Sequence, residues 1–196
     1  MPIFVRPALC SSGGLNLTRF AYNLYQPVKI KGSPMGVEVE RKFLVANNQW
    51  RKRVSRSLNM TQGYLGKAGK ASVRVRVAGD QAWLTIKSAA QGMTRLEYEY
   101  PVPVAEGREM LSRLTRHAIV AKTRYWVQDG QNTWELDVFQ GENEGLVIAE
   151  LELEREDQEF DRPPWLGPEV THDARYYNSS LSEHPYSLWP KKAQQT

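Results

Sequence analysis

The sequence predicts an α+β fold that is mainly antiparallel β-sheet, and three observations carry the prediction. About eight short segments alternate apolar and polar side chains, the period of a strand with two unlike faces. Most connections between them are of hairpin length, with turn residues such as Gly79-Asp80, Asp129-Gly130 and Gly145. The polar faces are charged, and acids and bases separate strand by strand.

The chain has 196 residues, 41% of them hydrophobic, enough for one domain with its own core. No run of about 20 apolar residues suggests a membrane span. Cys10 is the single cysteine, which excludes an internal disulfide and fits a reducing compartment; a cytoplasmic location is expected. The net charge of +4 arises in residues 1–37, which hold Arg6, Arg19, Lys29 and Lys31 and no acid. Without those four, bases and acids both number 22, so neither nucleic acid nor a membrane is expected as a partner.

Residues 1–34, rich in Pro, Gly and Ser, read as a poorly ordered extension ahead of a start at Met35. A transit segment is the alternative, and no signal-peptide core is present. The domain is expected over 35–182, with 183–196 as a tail.

The elements follow in order. Val37–Val45 reads as a strand with Val37, Val39, Arg41 and Phe43 on one face and Glu38, Glu40 and Lys42 on the other. A helix is expected over 47–57, capped by Asn47 or Asn48, with Arg51-Lys52-Arg53 on a solvated face. Met60–Leu65 is a short strand. Gly66–Lys70 reads as a hairpin turn, since it lacks the Gly-Lys-Ser/Thr ending of a phosphate loop. Strands follow at Ser72–Ala78, Ala82–Ser88 and Thr94–Tyr100, then a helix over Ala105–His117 on the stripe Met110, Leu111 and Leu114. Val120–Val127, Thr133–Phe139 and Leu146–Leu153 complete the strands. A last helix is expected from Pro168 or Thr171 to 182, before an aromatic end with Tyr186 and Trp189.

The charged faces collect Glu38, Glu40 and Lys42; Arg74 and Arg76; Thr85 and Lys87; Arg95, Glu97 and Glu99; Lys122 and Arg124; Glu135 and Asp137; and Glu150, Glu152 and Glu154. Two arrangements satisfy this pattern. In a sandwich, the charges face water and the apolar faces pack together. In a closed barrel, the charges line the inside and helices cover the apolar outside. The recurrence of arginine pairs and glutamate pairs favours the barrel, because solvated strand faces usually mix Thr, Ser, Gln and Lys. Eight strands enclose about enough room for one small ligand. So many charges cannot sit in a dry core, so that interior has to be wet and to bind something charged. The bases suit a polyanion with several charged groups. The clustered carboxylates suit a hard divalent cation. Together they are the means of phosphoryl transfer. His117, His172 and His184 have no Ser or Cys partner at a recognisable spacing, and no zinc spacing is present.

Glu38-x-Glu40-x-Lys42 resembles the signature of the CYTH family, the triphosphate tunnel metalloenzymes. Four further segments resemble that family in the same order: Arg74-Val-Arg76 with Leu84-Thr-Ile-Lys87; Lys122-Thr-Arg124-Tyr125; Glu135-Leu-Asp137 with Glu150-Leu-Glu152; and Asp173-Ala-Arg175-Tyr176-Tyr177-Asn178. The resemblance covers about 36–182. It implies a closed eight-stranded antiparallel barrel, the triphosphate tunnel, with helices packed outside. It implies Mg²⁺ or Mn²⁺ held by Glu38, Glu40, Glu150 and Glu152, and phosphate held by Lys42, Arg74, Arg76, Lys87, Lys122, Arg124 and Arg175. Glu38, Glu40 and Lys42 would form the catalytic strand, with Arg95, Glu97, Glu99 and Asp137 in support. The compact form is most similar to the inorganic triphosphatases, which implies metal-dependent hydrolysis of tripolyphosphate to pyrophosphate and phosphate by a monomer or homodimer. The alternatives are a thiamine or nucleoside triphosphatase, an adenylate cyclase, and a non-catalytic module binding polyphosphate or nucleotide. Cyclase-type relatives carry a His-Phe pair where this chain has Gly32–Val37.

Overall fold

The computed structural model describes residues 37–68, 71–88 and 94–190, with the backbone alone for 37–38, 67–68 and 94–95. The N-terminal extension and the Gly69-Lys70 turn lie outside the described residues. So do the side chains of Glu38 and Arg95.

The strands are β1 (Val37–Val45), β2 (Val54–Ala68), β3 (Ala71–Ala78), β4 (Gln81–Ser88), β5 (Thr94–Val102), β6 (Val120–Asp129), β7 (Asn132–Gln140), β8 (Val147–Leu153) and β9 (Leu166–Glu169). The α-helices are α1 (Val104–Leu114) and α2 (Asn178–Glu183). The strands hydrogen-bond in the order β5-β4-β3-β2-β6-β7-β8-β1-β9. β1 also pairs with β5, Val37 opposite Leu96 through Val39 opposite Thr94. Eight strands therefore form a ring whose β1–β5 seam is short. β9 takes the same edge of β1 further along, at Phe43 and Val45. No helix among the described residues is long and apolar enough to cross a membrane.

Directly opposed residues on neighbouring strands point to the same face. Lys42 opposes Glu150, which opposes Glu135; Arg74 opposes Thr85, which opposes Glu99. The charges thus share the inside of the ring. The apolar partners Phe43, Ala149 and Leu136 share the outside. There Trp50, Phe160 and Trp165 pack over Phe43, Trp134, Leu136 and Leu151. The rings of Phe43 and Trp134, and of Trp134 and Trp165, meet edge to face at 5.8 and 5.3 Å. On another side α1 lays Leu111 on Val75, Val77 and Ala82.

Two expected helices differ in the structure. The one over 47–57 is a 3₁₀ turn at Asn48–Arg53, capped by Asn47, whose side chain accepts from Gln49 N at 3.0 Å. From Val54 the chain joins a ladder with β6 that runs to Gln62 opposite Val120. Ser55, Arg56 and Ser57 offer no apolar helical stripe to compete with it. The helix expected over 168–182 starts instead as edge strand β9, where Pro168 costs no ladder bond. Only Asn178–Glu183 is α-helical. This region does not cover the barrel's side. Leu44, Val120, Phe139 and Ile148 are the inner-face residues at one end of their strands, and Val170, Tyr176, Leu181, Tyr186 and Trp189 pack on them. The C-terminal segment therefore stoppers that end.

Gly107 shows how closely α1 seats. A Cβ there would lie 2.7 Å from the Cβ of Ala82 and 3.2 Å from Val77 Cγ2. A Gly107→Val variant is expected to lose about 1–3 kcal/mol from overpacking, read as a lower urea midpoint with an unchanged slope.

Candidate active site

The pairing of β1 with β8 sets Glu40 directly opposite Glu152, and that of β7 with β8 sets Glu135 opposite Glu150. Opposed like charges repel, so cations have to stand between them. Lys42 Nζ lies 3.0 Å from Glu40 Oε1 and donates to Glu150. Arg124 donates through Nε to Asp137 Oδ1 and through Nη2 to Asp137 Oδ2 and Glu150 Oε2, each at 2.7 Å. Its Nη1 donates to Glu135. Lys122 pairs with Asp137, whose side chain is fully buried.

The facing wall is built the same way. Arg76 Nη2 donates to Glu99 Oε2 at 2.7 Å, and Thr85 Oγ1 donates to that oxygen at 3.0 Å. Arg74 Nη2 donates to Thr85 Oγ1 at 3.1 Å and lies 3.6 Å from Glu97. Lys87 Nζ is 2.6 Å from Glu97 Oε2. The Nε groups of Arg74 and Arg76 are buried without a partner among the described residues.

Burial pulls against these charges. It drives Lys122 down to about 8 even though Asp137 pulls the other way. Burial and the charge of Arg74 lower Arg76 to about 10, against the pull of Glu99. For Glu150, burial would raise the pKa, but the charges of Lys42, Arg124 and Lys122 together hold it well below the usual carboxylate range.

The fold thus brings together Glu40, Lys42, Arg74, Arg76, Lys87, Glu97, Glu99, Lys122, Arg124, Asp137 and Glu150 on one inner surface. Glu152 lies further out on β8, across from Glu40. Arg175 is elsewhere: it is exposed, its Nη2 is 2.5 Å from Asp173 Oδ2, and its guanidinium lies near the rings of Tyr176 and Trp189. Tyr177 donates its hydroxyl to Thr171 O at 3.0 Å.

Three inner-wall residues were missed as site residues. Glu135 stood on the charged face but had no role assigned. Gln62 and Tyr64 oppose Arg76 and Arg74 on β2. Being uncharged, they carry nothing to mark them out, although their spacing puts them on one face with Met60. Gln62 is buried; its Nε2 donates to the Tyr64 hydroxyl over a long 3.4 Å, and its Oε1 has no partner. Tyr64 sits in the field of Arg74, Lys87, Lys42 and Glu150, and burial raises its pKa, so its phenol is neutral and can donate.

The donor set fits a hard divalent cation. Glu40 and Glu152 are opposed oxygen donors that gain from a cation between them, beside Glu150. Among the described residues no three acids or histidines already converge as a metal cage. The described inner acids (Glu40, Glu97, Glu99, Glu135, Asp137, Glu150, Glu152) are matched by the bases (Lys42, Arg56, Arg74, Arg76, Lys87, Lys122, Arg124). A polyanion entering this interior therefore brings charge that an added cation would offset.

The CYTH domain model matches residues 36–186. The chain is 47% identical over 152 residues to an inorganic triphosphatase of Acetivibrio thermocellus, covering 78% of this chain and 97% of that one. It is 41% identical over 150 residues to an inorganic triphosphatase of Nitrosomonas europaea, covering 74% and 96%. Among solved structures, the crystal structure of the inorganic triphosphatase NE1496 aligns with a TM-score of 0.57 at 34% identity, covering 78% of this chain and 95% of that one.

The depressed pKa of Glu150 sets an acid limb for stability. The unfolded state takes up its proton near the ordinary value of 4.5 and the folded state only lower, so the stabilisation is complete above that value and is lost as pH falls through the folded pKa. Urea midpoints are expected to drop below pH 4.5, and a Glu150→Gln variant to show a shallower drop.

Proposed function

The chain belongs to the CYTH domain family, and on that premise we propose that it hydrolyses inorganic triphosphate to pyrophosphate and phosphate with a divalent cation. The observation that carries this reading is the inner surface itself. Carboxylates on β5, β7 and β8 stand beside cations reaching in from β1, β3, β4 and β6.

Glu38, Glu40, Glu150 and Glu152 would hold Mg²⁺ or Mn²⁺. Such an ion, when bound, offsets phosphate charge and makes a bound water more acidic. Lys42, Arg74, Arg76, Lys87, Lys122 and Arg124 hold the non-bridging oxygens. The unpartnered Nε groups of Arg74 and Arg76 are free donors for them, and the two guanidiniums exchange Glu97 and Glu99 for phosphate. Tyr64 donates its neutral O–H among these cations. A water oxygen forms the new bond to the terminal phosphorus as the anhydride P–O bond breaks. Pyrophosphate leaves, and the water proton goes to the phosphate products or to solvent. Donors fixed before the reaction stabilise charge on the transferring group without rearranging. Asp137 and Glu135 position Arg124, and Glu97 and Glu99 hold Lys87, Arg74 and Arg76 in place until phosphate arrives. Arg175 would reach the substrate only by leaving Asp173. We place the reaction in the cytoplasm, on the strength of the single cysteine, Cys10.

Tripolyphosphate turnover with Mg²⁺ or Mn²⁺ is expected to stop on chelation and return on adding the cation. A Glu38→Ala/Glu40→Ala variant should fall by about 100-fold or more while keeping its fold by circular dichroism, since Lys42 still pairs with Glu150 when Glu40 is gone. Turnover equal to wild type would overturn the proposal.

A further inference from the structure

The inner face turns apolar at the end away from the C-terminal stopper. Met60 opposes Ala78 and Lys122, Leu58 opposes Arg124, and Trp83 opposes Arg76, so all share the face that carries the charges. Trp126 lies two residues beyond Arg124 on β6 and points the same way. Leu58, Met60, Ala78, Trp83 and Trp126 form one packed cluster across β2, β3, β4 and β6. Met60, Ala78 and Trp126 are buried, at 6%, 3% and 8% exposure, and Leu58 and Trp83 pack on them half-buried.

Both indoles are fixed from the site side. Trp126 Nε1 donates to Glu135 Oε1 at 2.9 Å, and Glu135 in turn holds Arg124. The Arg56 guanidinium lies 3.6 Å from the centroid of Trp126, and that of Arg76 lies 5.3 Å from Trp83. One face of Trp126 is thus covered by the Arg56 guanidinium, and Trp83 packs beside Arg76.

We propose that this collar is the specificity element of the tunnel: it admits an unesterified inorganic triphosphate and rejects a triphosphate carrying an organic group on its end. This rests on the triphosphatase reading. An eight-strand ring holds little more than its own side chains. Two indoles, a leucine, a methionine and an alanine on four neighbouring strands narrow that end from one side, and the C-terminal segment closes the other. The room between is lined by charge and suits a bare phosphate chain. A ribose pressed into the collar would find no hydrogen-bond partner for its hydroxyls, and such loss is a strong discriminator.

The test is a Leu58→Ala/Met60→Ala variant, which opens the collar without touching a charged group. The kcat/KM ratio of ATP to tripolyphosphate should rise by about tenfold or more. An unchanged ratio in a variant that still turns over tripolyphosphate overturns the proposal. Wild type needs no variant: tripolyphosphate, methyl triphosphate and ATP should fall in that order, and equal kcat/KM for all three overturns the collar. If wild type hydrolyses ATP and not tripolyphosphate, the underlying reading fails and the collar with it.

Discussion

A charge taken out of water has to meet an opposite charge, and the interior of this barrel is organised by that requirement. Strand geometry places Glu40 against Glu152 and Glu135 against Glu150. Neither pair is tolerable alone. Lys42 and Arg124 reconcile them, each held by more than one carboxylate. Removing one member of such a buried lattice strands its partners, whose desolvation is then unopposed. The lattice suits a protein whose ligand is itself a string of charges, because phosphate and cation can each replace one half of a pair already in place.

The apolar outside follows from the same choice. With charge inside, most strands show a hydrophobic face outward, and much of it is covered; β2 turns Ser57, Asn59 and Thr61 outward instead, and β5 leaves Leu96, Tyr98 and Tyr100 exposed. Trp50, Phe160 and Trp165 cover one side and α1 another. The covering elements are short, and their energy comes from a few large rings and the close seat at Gly107 rather than from helix length.

The alternation of Glu38-x-Glu40-x-Lys42 and Arg74-x-Arg76 was enough to read the barrel and most of its wall, because a period of two leaves little choice about which side chains share a face. Neutral wall residues were harder. Gln62 and Tyr64 carry no charge to flag them, and only the pairing of β2 with β3 places them beside the arginines. The C-terminal region was misread for a different reason. Its apolar residues do have helical spacing, but the stopper is built by contacts far away in sequence, such as Ala118 N to Ser182 O at 3.1 Å. Arg175 pairs with Asp173, two positions away, on the exposed side of the stopper, a local contact that the motif alone does not reveal.

The position of β1 has a consequence for how the chain is made. Its ladder partners lie on β8, with Val39 opposite Leu153, so the first strand waits for nearly the whole domain to be synthesised. At ordinary translation rates that is roughly ten seconds with its β8 edge unpaired, although β5 can meet the start of the other edge sooner. A bare, long-waiting edge invites pairing with another chain, and charged side chains on the strand are among the common defences. Glu38, Glu40 and Lys42 thus act as gatekeepers before there is any tunnel to line. A variant that neutralises all three trades away solubility on the ribosome as well as chemistry in the finished barrel.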